Sequence, residues 1–346
     1  MLLEELSNAF GPSGCEDEVR RALARALRGK VDDLRTDAMG NLIAFKRGTG
    51  SGPRLKVMVD AHIDEVGLMI TRIEKNGTLG FRAVGGVDER SLLAKGVIVG
   101  EKRLPGVILA PPVHLTKEEQ RKQVIKIDQL VIDIGATGQD EAQGMVKLGD
   151  YATFDTRFQV LAEDGLRTVK GKALDDRAGC AVAAALADGD YPVDLYLSFN
   201  AQEETGLRGA RVAAFRIEPD VAFALEGTIC DDTPKKEDVS PTSELGQGPA
   251  ITLMDRSFIA DRRLVRLLVD TAEAHGLPYQ FKQPGIGSTD AGAIHLSKTG
   301  IPAVTVATPC RYIHAPVSLL SLNDLDNLVA LMKAALHALP EKWKEL

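Results

Sequence analysis

Two pairs of adjacent acidic residues stand at the predicted ends of regular elements. Asp175 and Asp176 precede a run of small apolar residues at 181–187, which predicts a helix packed tightly against a sheet. Glu203 and Glu204 follow a predicted buried strand. A single acid at a helix start is typical of an N-cap. Two acid pairs at the edge of one sheet are costly to bury unpaired, so the pattern indicates a divalent cation site.

Histidines and further carboxylates are predicted at the same edge. His62 and Asp64 follow an apolar strand, and because positions i and i+2 of an extended chain face one side, the carboxylate can orient the imidazole. Glu226 ends another apolar strand, before a turn predicted at 227–228, and His314 follows the last strand. Ligands gather beyond the carboxyl ends of strands in open α/β sheets. Oxygen and nitrogen donors without thiolates favour a pair of Zn²⁺, Co²⁺ or Mn²⁺ ions over Mg²⁺ or Ca²⁺.

The motifs around these residues resemble the M42 family of dinuclear metallo-aminopeptidases. The resemblance runs from the first predicted helix to the last and rests on His62-x-Asp64, Leu174-Asp175-Asp176-Arg177-x-Gly179, Glu203-Glu204, Leu225-Glu226-Gly227-Thr228 and Arg311-Tyr312-Ile313-His314. It implies a bridging carboxylate at Asp175. It further implies that His62 and Glu226 complete one metal site, and that Glu204 and His314 complete the other.

The same resemblance implies roles for residues that do not bind metal. Asp64 is expected to orient His62. Glu203 is expected to be the general base, because one carboxylate cannot usefully be a ligand and a base at once. Asp176 is expected to fix the turn before the helix. Glu226 stands where many relatives have Asp, so the denticity of this longer side chain stays open.

A glycine-rich loop at 285–292 leads into another predicted helix. By the same resemblance this loop lies near the site. Asp290 is expected there either to support the ligands or the substrate amine, or to cap the helix. No Gly-Lys-Ser/Thr sequence follows the glycines, so the loop is not a phosphate-binding loop.

Apolar periodicity predicts an α/β fold with an inserted all-β module. We expect a catalytic domain with a mixed sheet from residues 1–70 and 165–346, and a small barrel-like dimerisation domain from 71–164. Ser13 and Glu16 have the spacing of a capping box, and 234–248 predicts a polar surface loop. Members of the family commonly dimerise through the insert and build hollow twelve-subunit tetrahedra, which implies short peptides as substrates.

Composition and charge exclude several classes of partner. With 346 residues, 44% hydrophobic and 26% charged, the chain predicts about two domains with a well-buried core. A net charge of −7 without a Lys/Arg-rich run argues against nucleic acid and membrane surfaces as partners. No stretch approaches the roughly 18 apolar residues of a membrane span. Acids near the N-terminus, where a signal peptide is basic, and four scattered cysteines favour a cytoplasmic protein.

Three other functions are alternatives to aminopeptidase activity. A co-catalytic metal hydrolase acting on N-acyl amino acids or on other peptide ends uses the same ligands. A metal-stabilised assembly protein without activity is disfavoured by the complete ligand set together with Glu203. An endoglucanase, a label that some relatives carry, leaves His62 and His314 unexplained, because glycosidases use a carboxylate pair without two metals. The sequence leaves the preferred N-terminal residue, the native metal, and dimer or dodecamer undecided.

Overall fold

The chain forms a large mixed sheet and a separate small barrel. The computed structural model describes residues 1–233 and 242–345, so part of the surface loop predicted at 234–248 lies outside the described residues. In chain order, the strands are β1 (Asp33–Thr36), β2 (Leu42–Lys46), β3 (Lys56–His62), β4 (Gly67–Ile73), β5 (Leu79–Val84), β6 (Gly96–Val99), β7 (Leu104–Leu109), β8 (Val131–Asp133), β9 (Tyr151–Phe154), β10 (Gln159–Val160), β11 (Thr168–Gly171), β12 (Asp194–Asn200), β13 (Val221–Ile229), β14 (Ala250–Thr252), β15 (Gln280–Lys282), β16 (Ala303–Arg311) and β17 (Ser318–Ser321).

The centre of the large sheet is parallel. The strand order is β1-β2-β12-β3-β13-β16-β17-β11-β10, and β14 pairs with β15 and β16. β3 pairs in parallel with β12 and β13, and β16 pairs in parallel with β13. Their long apolar runs suit a position buried on both faces, and β3 is central as its sequence predicted. The carboxyl ends of these four strands therefore lie at one edge.

Helices cover this sheet. They are α1 (Leu2–Asn8), α2 (Asp17–Leu27), α5 (Leu174–Leu186), α6 (Arg208–Ile217), α7 (Arg262–His275), α8 (Ala291–Ile294) and α9 (Leu322–Glu345). Two short helices, α3 (Glu118–Arg121) and α4 (Gln139–Met145), lie instead in the chain segment that forms the barrel. α5 is buried over most of its length and contacts β3 and β13, because its many Ala and Gly residues allow close packing. Within residues 1–233 and 242–345, no helix is long and apolar enough to cross a membrane.

The smaller unit is a closed antiparallel barrel. Its strand order is β4-β5-β8-β7-β6-β9, and its interior holds a hydrophobic cluster of its own that includes Leu68, Phe81 and Ile132. The barrel begins just after β3, and the chain returns to the large sheet at β10. The predicted fold class is confirmed, whereas the division at residues 70 and 164 stays a prediction.

Two local predictions are wrong. Ser13 and Glu16 do not form a capping box, because α2 has no side-chain cap hydrogen bond and the Ser13 hydroxyl donates instead to Asp64 Oδ2 at 2.6 Å. The turn predicted at 227–228 is part of β13, which continues to Ile229. Parallel pairing with β16 along this whole stretch supplies the backbone hydrogen bonds that extend the strand.

Candidate metal centre

The predicted site residues meet at the carboxyl edge of the parallel strands. His62 ends β3, Glu203 and Glu204 follow β12, and Glu226 lies near the end of β13. α5 supplies a carboxylate from its first turn, and the segment after β16 supplies a histidine. These side chains line one cavity of about 510 Å³, whose walls include His62, Asp175, Glu203, Glu204, Glu226 and His314. The topology thus brings together residues that are far apart in sequence.

Asp175 stands between two pairs of donor groups. On one side, His62 Nε2 lies 3.3 Å from Asp175 Oδ1 and 3.5 Å from Glu226 Oε2. On the other side, His314 Nε2 lies 3.8 Å from Asp175 Oδ2 and 3.5 Å from Glu204 Oε2. The two oxygens of one carboxylate therefore face separate imidazole–carboxylate pairs. This donor chemistry fits two divalent cations of the Zn²⁺ or Co²⁺ type.

The neighbouring Asp176 has a different environment. One of its oxygens also lies within 4.8 Å of donor atoms of His62 and Glu226. However, Oδ1 accepts a hydrogen bond from the Gly179 N–H at 2.8 Å, and Oδ2 accepts one from the His62 N–H at 3.2 Å. Asp176 thus joins the start of α5 to the end of β3, the turn-fixing position that the sequence analysis expected.

The backbone of Asp175 packs directly on β13. Asp175 and Asp176 have non-helical dihedral angles, and the peptide bond between them is cis. A Cβ atom built on Gly227 would lie only 2.8 Å from Asp175 Cα. Because no real Cβ atom approaches a backbone atom so closely, only glycine at position 227 lets the Asp175 carboxylate reach the centre of the cavity.

Asp64 holds His62 and the two adjacent glutamates in place. His62 Nδ1 lies 3.2 Å from the Asp64 carbonyl oxygen and 3.5 Å from its Oδ1, so the Nδ1 proton is directed at Asp64 and Nε2 faces the cavity. The Asp64 carboxylate also accepts from Ser13 Oγ at 2.6 Å and from the N–H groups of Glu203 and Glu204 at 2.9 and 3.2 Å. Burial raises the pKa of Asp64, but the hydrogen bonds with His62 and Ser13 hold that pKa below its usual value.

His314 is oriented by the barrel instead. Its Nδ1 lies 2.9 Å from the carbonyl oxygen of Gly86, in the segment after β5. A donated Nδ1 proton leaves the lone pair of Nε2 facing Asp175 and Glu204. The small barrel therefore contributes a backbone group to the site, although its sequence shows no catalytic cluster.

The crowding of carboxyl groups favours bound protons or cations. Burial is the largest effect, and it raises the pKa of Glu203 and of Glu226 well above their usual values and that of Glu204 to about 7. Burial lowers the pKa of His62, but hydrogen bonds to Asp175 and Asp64 raise it well above its usual value. Divalent cations that replace these protons would remove the repulsion, so the cluster's electrostatics also fit two cations.

Glu203 lies beside the ligand groups without belonging to them. Its carboxyl group lines the cavity. The two possible ligand groups in the described part of the chain, His62 with Asp175 and Glu204 and His62 with Asp176 and Glu226, include neither Glu203 nor His314. A buried carboxyl group with a raised pKa accepts protons near neutral pH more readily than an exposed one. This position suits a general base.

Asp290 supports a predicted ligand through its backbone. Its N–H donates to Glu226 Oε1 at 3.2 Å, and its side chain does not cap α8. The carboxyl group is buried near Asp60 and Asn200, and burial raises the pKa of Asp290 to about 6. Asn200 in turn donates a hydrogen bond to Asp60. Sequence reasoning found neither this buried polar layer nor the roles of Ser13 and Gly86.

Comparison with known proteins agrees with this geometry. The family model described as M42 glutamyl aminopeptidase matches residues 40–331. A predicted aminopeptidase of Acetivibrio thermocellus is 39% identical over 337 residues, which are 97% of each chain. The solved TET aminopeptidase of a marine sediment Thaumarchaeota archaeon superposes with a TM-score of 0.94 at 34% identity and covers 99% of this chain and 97% of its own.

A second solved structure carries information on assembly. The TET1 peptidase of Pyrococcus horikoshii, described as assembling into a tetrahedron or a large octahedral shell, superposes with a TM-score of 0.85 at 37% identity. The match covers 97% of this chain and 98% of that one. Together with the family match and the cavity of imidazole and carboxylate donors, these likenesses show that the chain belongs to the M42 family of metal-dependent aminopeptidases.

Proposed function

We propose that the protein removes N-terminal residues from short peptides at a centre of two divalent cations, Zn²⁺ or Co²⁺, with Mn²⁺ as a further candidate. The observation that carries this proposal is the position of Asp175, whose two oxygens face separate donor pairs. His62 and Glu226 would hold one cation together with Asp175, and His314 and Glu204 would hold the other, also with Asp175. When bound, the cations supply Lewis-acid chemistry that acidifies water and polarises the scissile carbonyl.

The protein's own groups account for the proton transfers. Glu203 lies in the cavity beside the ligands, so it can accept a proton from the attacking water and deliver it to the leaving amine. The N–H groups of Glu203 and Glu204 are both held by Asp64. One carboxylate fixes the base and a ligand together, which keeps their spacing constant during turnover.

Paired substrates test this function. Aminoacyl anilides with acidic, basic and leucyl side chains, each as a free amine and as its N-acetyl derivative, are incubated with the Co²⁺- or Zn²⁺-loaded protein and then with chelator. We expect chelator-sensitive cleavage of the free-amine set alone. Cleavage of the acetylated set would instead establish an acylase or an endo-acting peptidase. No cleavage of either set would indicate a protein without peptidase activity.

Self-association through the barrel is the second part of the proposal. The barrel exposes large apolar side chains that a second copy of this chain can cover, namely Leu93, Val107, Leu109, Leu115 and Val124. The Pyrococcus horikoshii relative supports a closed shell, in which only short peptides would reach the site. Light scattering of the wild-type protein and of Val107→Glu tests this, since a monomeric wild type would contradict it.

The four cysteines are free thiols, three of them buried. Reduced thiols are typical of cytosolic proteins, so we also propose a cytoplasmic location for the enzyme. Cell fractionation with an antibody against the protein tests it.

A further inference from the structure

Lys282 places a buried positive charge in the wall of the cavity. It is the last residue of β15 and only 5% of it is exposed. Its side chain lines the same cavity as His62, Glu203 and Glu226. Moving an ammonium group out of water is costly unless a partner compensates for the lost hydration. A buried lysine in this position therefore requires an anionic or hydrogen-bonding partner.

That partner is not found among the residues that the structure describes. In residues 1–233 and 242–345, no carboxylate forms an ion pair with Lys282 and no group accepts a hydrogen bond from its Nζ. Burial is the largest effect on its pKa and lowers it, while the charges of Glu226, Asp255 and Asp175 raise it. Glu226, which has the largest effect of these three acids on the pKa of Lys282, already accepts a hydrogen bond from the Asp290 N–H.

Asp255 also accepts hydrogen bonds from other groups. Its Oδ1 accepts from the N–H groups of Ser257 and Phe258 at 2.6 and 3.0 Å, and its Oδ2 accepts from Thr289 Oγ1 at 3.1 Å. These hydrogen bonds hold the carboxylate between its own loop and the glycine-rich loop that contains Thr289. The ammonium group of Lys282 is thus available to a ligand in the cavity.

The approach to this ammonium group is open on the cavity side. Gly287 also lines the cavity, and a Cβ built on it would lie 3.7 Å from Lys282 Nζ, an ordinary contact distance. Glycine at this position leaves that space to a ligand. Thr228 and Ser288 line the same cavity, so a group that enters it meets hydroxyls as well as the charge.

We propose that Lys282 is a specificity-determining residue that binds a carboxylate of the substrate, the side chain of an N-terminal glutamate or aspartate. The inference rests on the proposed aminopeptidase function, because the substrate's amine and scissile bond must lie at the Asp175 centre for the first side chain to enter this cavity. An acidic side chain pairs with the ammonium group. A neutral side chain leaves it dehydrated and unpaired, and a basic one is repelled.

A carboxylate at the other end of the substrate has the same chemistry. The C-terminal carboxylate of a dipeptide could contact Lys282 in place of the side chain. Anilides have no C-terminal carboxylate, and dipeptide amides differ from dipeptides only there. The two sources can therefore be separated by choosing these substrates.

The experiment compares glutamyl and glutaminyl anilides, which have nearly the same shape and differ in charge. We expect the metal-loaded wild type to prefer the glutamyl substrate in kcat/KM by about 10-fold or more. Lys282→Met keeps the length of the side chain and removes its charge, so the ratio should fall towards one, mainly through KM. Lys282→Arg keeps the charge and should retain part of the preference.

Several results would overturn the inference. A wild type that prefers the glutaminyl anilide, or a Lys282→Met variant that loses the same factor on both anilides, would mean that Lys282 only balances the charge of the acidic cluster. If Lys282→Met loses kcat/KM on leucyl-glycine but not on leucyl-glycinamide, the lysine binds the C-terminal carboxylate of the substrate instead. Melting temperatures of the variants show whether they fold. If Lys282→Met does not fold, Lys282→Gln is used in its place.

A binding measurement separates this inference from the proposed function. If the wild type cleaves no free-amine substrate, the peptidase function fails. The role of Lys282 is then tested by thermal shifts of the metal-loaded protein with L-glutamate and with L-glutamine. Stabilisation by glutamate alone, lost in Lys282→Met, supports the carboxylate site, whereas equal shifts with both amino acids contradict it.

Discussion

The two halves of the metal centre are built in different ways. His62 is the last residue of a central strand, is 2% exposed, and is oriented by Asp64 through two oxygens. His314 lies in the segment after β16, is 39% exposed, and is oriented by a single backbone carbonyl of the barrel. The first half therefore depends on the packing of the main sheet. The second depends on where the barrel lies, so we expect the two cations to differ in affinity.

Removing the shared ligand should have the largest effect, because it damages both halves. In Asp175→Ala, each imidazole–carboxylate pair loses a donor, and we expect kcat/KM to fall by about a thousandfold or more. Metal analysis after dialysis should show less than one cation per subunit. Two tightly bound cations in this variant would exclude a bridging role for Asp175.

Substitutions of Glu203 and Glu204 should separate the loss of turnover from the loss of metal. Glu203→Gln should keep both cations and lose about 100-fold or more in kcat, because it removes the proposed general base. Glu204→Gln should lose the cation on the His314 side. Metal content and turnover, measured on the same preparations, check this. Equal metal loss in both variants would contradict the division of roles between these neighbours.

Ser13→Ala should affect the His62 half more than the His314 half. It removes a 2.6 Å hydrogen bond to Asp64, so the His62 ring is held less firmly. Asp64 also accepts from the Glu204 N–H, so we expect the affinity of the cation at His62 to fall by about 10-fold and that of the other cation to fall less. Titration of the metal-free protein with Co²⁺ resolves the two binding steps. Equal weakening of both steps in Ser13→Ala would refute the separation.

The smallest effect concerns the stability of the metal-free protein. The folded-state pKa of Glu204 is about 7, raised by burial from its usual 4.5. Its stabilising contribution is therefore present below about pH 4.5 and lost as the pH rises through about 7. The pKa values of His62 and His314 are also raised, which acts in the same direction.

The melting temperature of chelator-treated protein should accordingly be lower at pH 8.5 than at pH 6, by a few degrees. Glu204→Gln should make this dependence shallower, since it removes one of the titrating groups. Saturating Zn²⁺ should also weaken it, because cations replace the protons. A metal-free protein that becomes more stable between pH 6 and pH 8.5 would contradict the assignment.

The sequence predicted those parts of the site that follow from local patterns. Apolar strands ending in polar residues identified His62, Glu203 and Glu204, and the rule that ligands gather at the carboxyl edge brought them together. Ser13 was misread because the capping-box spacing is a local signal, whereas its real partner lies 51 positions away. The contact between His314 and Gly86 spans 228 positions and involves a backbone carbonyl. Because every residue has such a carbonyl, the identity of the residue does not predict the contact.

The end of β13 shows the same limit. Gly227 predicted a turn because glycine commonly breaks a strand. In the structure it is glycine because Asp175 Cα packs against it. The bridging role proposed for Asp175 likewise rests on resemblance to a family, since the sequence alone did not distinguish it from Asp176.

The hydrogen bond from His314 to Gly86 limits how the barrel can be engineered. A designer who wanted a smaller enzyme would see an insert with its own hydrophobic core, joined to the main sheet at two points, and would treat it as removable. Deleting it would leave the parallel strands intact but free the ring of one histidine. Any replacement module must therefore supply a carbonyl oxygen 2.9 Å from the position of His314 Nδ1.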